Sequence, residues 1–297
     1  MTRPSVAREP VRLVVTADDF GISPGVSRGI SESVEKGIVT AIAVMLNFPE
    51  VEDHLPLLPR TGDGASAELA VHLNLTTGPP VAHPNTVAGL LDRQGGFLPL
   101  GRFLGQWIRR GIPLGQVERE WRAQIERGLG LGLVFSALNS HRHVHMLPGL
   151  LALTQRLARE YGIGAVRHSH VPPGPHPGAP LHLRAGLALC ALLSPRSPKG
   201  TPGIVKNGRL VPLPDPSSGD GIAADRLERA LRALPPGLHE LMCHPGLPDD
   251  LLELRDSYGK GRERELAALT SDAVRTAVER TGAQLTGYGA SALGRTG

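Results

Sequence analysis

The stretch VRLVVTADDFG at residues 11–21 decides the fold. Its first seven residues are mostly apolar and β-branched, which reads as a buried strand. The strand runs into two adjacent acids, Asp18 and Asp19, and then into a glycine turn. Working outward, Ser23-Pro24 can supply a helix cap and a first helical residue, and Gly37 a stop, so a helix is expected over about 24–36. VTAIAVML at 39–46 and ELAVHLNL at 68–75 read as the second and third strands, with a short helix over 49–57 between them. Residues 77–112 are rich in Gly and Pro and read as an insertion with little regular structure. Beyond it, the spacing of Val117, Trp121 and Ile125 predicts a helix over 114–128, and the glycines from Gly128 onward a loop. Strands at 133–139, 164–168, 238–243 and 283–287 then alternate with helices at 148–161, 181–194, 222–233 and 261–280. Residues 171–179 and 195–220 read as loops.

Seven strands separated mostly by helices argue for a parallel sheet covered by helices. The pattern fits an open doubly wound sheet and a closed (β/α) barrel alike. The 297 residues suit one or two domains, or one barrel of about 250 residues. A single domain over 1–297 is the expectation, with its core at 11–288 and insertion-like stretches at 77–112 and 171–220.

Composition narrows the function. Aromatic residues make up 3% of the chain, which advertises neither a base-stacking surface nor an aromatic-lined cleft. The net charge is +4, and only 4 of the 32 basic residues are lysine. Most arginines sit on helical stretches beside acids, as in 118–127 and 262–280, and read as solvated helix faces; no nucleic-acid partner is expected. Two distant cysteines, Cys190 and Cys243, cannot build a disulfide framework or a thiolate zinc site. The longest apolar stretch, 185–193, falls far short of the ~18 residues needed to span a bilayer, and the first ten residues lack an apolar signal core. A soluble, cytoplasmic protein is expected.

Unusual polar residues fall at strand ends. Asp18 and Asp19 close the first strand, His72 lies late in the third, His141, His143 and His145 follow the fourth, and His244 ends HELMC. Ligands collect at the carboxyl ends of parallel strands in both candidate folds, so these residues converge on one rim. Neighbours in an extended strand point to opposite faces, so both acids reach one site only if the strand ends there. They read either as a metal ligand beside a general base or as a helix cap beside an exposed neighbour. His72 alone would be a core histidine. Beside an acid and a histidine cluster it becomes a candidate ligand, because two His and one carboxylate leave open positions on an ion. His141, His143 and His145 share a face if the segment is extended; if the chain turns after Ser140, only one need be a ligand. His244 reads as a turn histidine or as an acid that titrates near neutrality. Arg167 reads as a group that holds a substrate oxygen or an acid, or as a surface arginine.

TADDFG at 16–21, GIVTAIAVMLN at 37–47, VHLNLTTGPPV at 71–81, NSHRHVHMLP at 139–148 and MCHPG at 242–246 together resemble the YdjC-like carbohydrate deacetylases, the ChbG and HpnK family. The resemblance runs over about 11–288, weakest at 77–135 and 171–236. It implies a deformed (β/α) barrel of about seven parallel strands, like that of the polysaccharide deacetylases. It also implies a divalent cation, usually Mg2+, with Zn2+ or another divalent ion as substitutes, held by Asp19, His72 and His141. By the same resemblance Asp18 is the general base and His244 a partner acid. The substrate implied is an N-acetylated amino sugar, a chito-oligosaccharide or a hopanoid-linked glycolipid, and a homodimer is compatible with it. Asn139 departs from the Asp that many members carry before Ser-His. Two other classes share the ligand pattern: a non-haem Fe(II) oxygenase using Asp and two His, and a barrel that binds sugar or metal without turnover.

Overall fold

β1 (Val11–Phe20) is the central strand of a parallel sheet. The computed structural model describes residues 10–59, 67–168, 205, 208–213 and 220–289. α1 (Pro24–Glu35) follows, capped by the Ser23 side chain with Pro24 in its first turn. Then come β2 (Ala41–Val44), the short α2 (Val51–His54) and β3 (Glu68–Leu73). α3 (Leu100–Ile108), α4 (Leu114–Gly130), β4 (Phe135–Ser140), α5 (Leu150–Glu160) and β5 (Ala165–Val166) continue the alternation. The last third holds β6 (Leu210–Pro212), α6 (Asp220–Arg232), β7 (Gly237–Cys243), α7 (Asp250–Arg255), α8 (Lys260–Thr270), α9 (Asp272–Thr281) and β8 (Gln284–Leu285).

Seven strands run side by side in the order β5-β4-β3-β2-β1-β7-β6, every pair parallel, and β8 pairs with the start of β1. The sheet curls. Val205 bridges to Ala165 on β5, and Leu210 a few residues later pairs with Glu240 on β7. The two edges therefore approach each other, and the deformed barrel is the architecture found.

Alternation along each strand sorts the residues. Leu13, Val15, Val71, Leu138 and Leu241 face outward into the large core shared with the helices. Val14, Ala41, Ala43, Ala70, Ala137, Ala165 and Leu238 form a separate inner cluster with Tyr288. Small inner side chains let the sheet curl tightly, because a small barrel must fill its interior with its own residues. Higher on the same inner faces stand Thr16, Asp18, His72, Asn139 and Glu240, which meet through their side chains.

Several expectations need correction. The stretch 77–112 is not irregular throughout: α3 lies in it, with Phe103 buried. Gly101 and Gly105 hide this helix by lowering its propensity. α4 runs on through Gly128 and Gly130. Gly128 is needed there for contact, since a Cβ would sit 2.6 Å from the Phe135 ring. β6 falls within a segment expected to be loop. The helix expected over 261–280 is two helices, broken where Ser271 caps α9. α7 was not expected at all. The loop expected at 171–179 and the helix expected at 181–194 lie outside the described residues. No helix among those described is long and apolar enough to cross a membrane.

Candidate metal and catalytic site

The acid pair is aimed by backbone strain. β1 and β2 lose register between Ala17 and Phe20, and Asp19 takes φ 75°, a left-handed value rare for a non-glycine residue. The bulge breaks the alternation, so two consecutive side chains reach one cluster. Both are buried, Asp18 at 2% and Asp19 at 1% exposure. A left-handed non-glycine residue costs on the order of 1–3 kcal/mol, and such strain gathers at functional sites.

Asp19, His72 and His141 form a buried donor set whose ligand atoms lie within 4.8 Å of one another. Asp19 Oδ1 is 2.8 Å from His141 Nδ1 and 3.1 Å from His72 Nε2. Two ligands about 2.1 Å from one ion and at right angles to each other stand about 3 Å apart, so this spacing suits a divalent cation. His141 Nε2, the other ring nitrogen, is buried and has no hydrogen-bond partner among the described residues. The donors therefore fit such an ion: one carboxylate and two imidazoles, drawn from three strand ends.

The three clustered histidines separate because the chain turns. Arg142 and His143 both take φ 54°, and residues 141–146 wind into a 3₁₀ turn instead of extending. Only His141 joins the donor set. His145 is fully buried and ties β4 to β5: its Nε2 donates to the Arg167 carbonyl at 3.0 Å, and its Nδ1 accepts from Ser140 Oγ at 2.5 Å. Burial pulls its pKa down to about 3. His143 is also buried and is held well below the usual 6.5, by burial first and then by the nearby Arg167 charge.

Asp18 stands apart from the donor set. Arg167 grips it with two hydrogen bonds, 2.6 Å to Oδ2 and 2.9 Å to Oδ1, and Asn139 Nδ2 donates to Oδ1 at 3.1 Å. Burial alone would raise its pKa; the Arg167 charge and hydrogen bonds outweigh that and set it at about 2. Arg167 is 1% exposed, so the surface reading of this residue is wrong. Its Nε and Nη2 also bond Glu240 Oε1, at 2.9 and 2.7 Å. The guanidinium is turned to two acids. Thr16 and Tyr288 both donate to Glu240.

His244 sits at the end of β7 with its side chain 28% exposed. Its backbone N–H donates to Glu265 Oε2 at 2.6 Å, its Nδ1 lies 3.8 Å from Glu265 Oε1, and its ring meets Tyr258 edge-on at 6.0 Å. Burial disfavours the charged ring, but Glu265, Asp19 and Asp18 prevail and its pKa is raised above 6.5.

Sequence reasoning missed Arg262 and Glu265. Both were assigned to a solvated helix face, yet Arg262 is 1% and Glu265 5% exposed. Arg262 Nη2 bonds Asp19 Oδ2 and Asp256 Oδ2, each at 2.6 Å. An arginine in the first turn of an amphipathic helix carries no mark of such burial. The nearest available signal is Gly261, where a Cβ would lie 2.2 Å from the Tyr258 ring.

Three comparisons bear on this geometry. The sequence profile of the family described as "YdjC-like protein" matches residues 12–280. A carbohydrate deacetylase of Geobacillus stearothermophilus is 31% identical over 280 residues, covering 94% of this chain and 97% of its own. One from Vibrio vulnificus strain CMCP6 is 28% identical over 286 residues, covering 94% and 95%. The crystal structure of an Enterococcus faecalis V583 protein named for cellobiose-phosphate cleavage superposes with a TM-score of 0.73 at 24% identity, covering 95% of this chain and 98% of its own.

Proposed function

Because this chain belongs to the YdjC-like protein family, we propose that it is a carbohydrate deacetylase, a metal-dependent hydrolase that removes an N-acetyl group from an amino sugar. The observation that carries the reading is an ionised acid, Asp18, that lies beside the Asp19-His72-His141 donor set without belonging to it. A site that only binds has no use for a second carboxylate there.

Asp19, His72 and His141 hold the cation. A divalent ion at this place supplies polarisation of the acetyl carbonyl and a more acidic water. Asp18 takes the proton of the attacking water, and Arg167 and Asn139 keep its carboxylate in one position. His244 donates its proton to the amine nitrogen as the C–N bond breaks, and Glu265 keeps that ring charged beforehand. The products are the free amino sugar and acetate. The family resemblance points to Mg2+; two imidazole donors suit Zn2+ better.

The test is mass spectrometry of N-acetylated chito-oligosaccharides and acetylglucosaminyl lipids incubated with chelated protein plus Mg2+, Mn2+, Zn2+ or Fe2+. Acetate release that needs both a cation and Asp18 is expected. Oxygen consumption with Fe2+ and no acetate from any substrate would replace the hydrolase with an oxygenase.

A further inference from the structure

We propose that Asn139 is a positioning residue that serves the metal donor and the base at once, through the two ends of one amide. The inference rests on the reading of Asp18 as base. Asn139 is buried at 2% exposure and lies directly opposite His72 in the β3–β4 register, both side chains pointing into the barrel. Its Nδ2 is 3.1 Å from Asp18 Oδ1, and its Oδ1 is 2.7 Å from His72 Nδ1.

The proton positions follow in a chain. The Asp18 carboxylate can only accept, so the amide must turn its NH₂ toward it. That leaves the amide oxygen facing His72, so His72 Nδ1 must carry the hydrogen. The other ring nitrogen, Nε2, then faces Asp19 Oδ1 at 3.1 Å, on the side of the donor set. Asn139 thereby keeps His72 Nε2 turned to the donor set while it pins Asp18. An aspartate here would still accept from His72, the usual partner of a metal-bound histidine. It could give nothing to Asp18 and would set a like charge beside it.

Two variants separate the halves. Asn139→Asp keeps the acceptor for His72 and removes the donor to Asp18; Asn139→Leu removes both. Zn2+ affinity is read by calorimetry on chelated protein, and kcat and KM by acetate release. For Asn139→Asp, Zn2+ affinity should stay within about threefold, while kcat falls about tenfold or more at little-changed KM. For Asn139→Leu, Zn2+ affinity should fall about 10–100-fold, the usual loss when a ligand's outer partner is removed. A merely structural residue would not split the two readouts. Wild-type kcat in Asn139→Asp, equal loss of metal in both variants, or unchanged affinity in Asn139→Leu overturns the proposal. If the leucine variant fails to fold, Asn139→Ala takes its place. Should the wild type release no acetate at all, the deacetylase reading falls, and the affinity arm still decides the His72 half.

Discussion

Asp18 and Asp19 are covalent neighbours with opposite partners: one is gripped by Arg167, the other by two histidines and Arg262. Asp18→Asn is expected to fold and bind metal but lose at least two decades of kcat, since general-base catalysis is worth ~10²–10⁴. Asp19→Asn should instead weaken the metal, with activity partly restored by added cation. Near-normal kcat in Asp18→Asn, with Asp19→Asn dead at saturating metal, would exchange the roles. Both carboxylates are held below their ordinary values, so neither sets a pH limb near neutrality. The acid role proposed for His244 needs the protonated ring, and its pKa is raised, so kcat should fall as pH climbs through a value above 6.5. His244→Gln should abolish that limb, and a surviving limb at the same pH would remove His244 from the role. The strand-end residues were legible because an acid or histidine closing an apolar strand has few bland explanations. Arg262, Glu265 and Glu240 were not, because their partners are distant in sequence and their local pattern is that of any charged helix or alternating strand.

At the scale of elements, the loop that carries His244 is seated on α1. Gly29 has no Cβ, and one would lie 2.6 Å from the Gly246 Cα. Leu247 N–H bonds the Gly25 carbonyl at 3.1 Å, and Asp249 accepts from Gly25 N–H while its other oxygen caps α7 at 2.8 Å. Gly29→Ala must push this loop outward. Overpacking of this kind costs about 1–3 kcal/mol. Melting temperature should fall and kcat drop more than metal affinity, because the donors lie on other elements; a variant with unaltered kcat would show that the loop tolerates the shift. Most elements could be read from periodicity and caps. The break between α8 and α9 could not, because apolar residues keep recurring across it, although Ser271 followed by Asp272 is a cap signal in its own right. β6 is three residues long and ends at a proline, and it is a strand because β7 offers it a partner.

For the whole molecule, two buried neutral histidines make stability sensitive to mild acid. His145 and His143 resist protonation when folded, whereas an unfolded histidine takes a proton near 6.5. Their contribution is complete above pH 6.5 and is lost as pH falls from there, for His145 down to about 3. The slope is at most about 1.4 kcal/mol per pH unit per histidine. Asp18 adds a further loss between its ordinary 3.8 and about 2. Urea melts from pH 8 to pH 5 should show the decline, and a flat profile would refute it. A bound cation joins β1, β3 and the turn after β4, so chelation should lower the melting temperature. Excess ligand at 100 times Kd is worth about 2.7 kcal/mol. A chelator that leaves the melt unchanged would argue against a resident ion. The parallel sheet followed from the alternation of strands and helices. Its curl did not, because closure depends on small inner residues and on contacts such as Arg167 with Asp18 that span the chain.

The alanine-lined interior, stoppered by Tyr288, has a kinetic meaning. Among the described residues the barrel is packed below Thr16, with Val14 at 0% and Tyr288 at 3% exposure. What enters at the strand ends therefore does not leave through the packed interior. In the reaction proposed above, water, amide, acetate and amine would share that side, and each turnover would become a queue in which the first product out clears the way for the second. On that reading, acetate lingering at the bottom would hold the place the next acetyl group needs and slow turnover by occupancy alone.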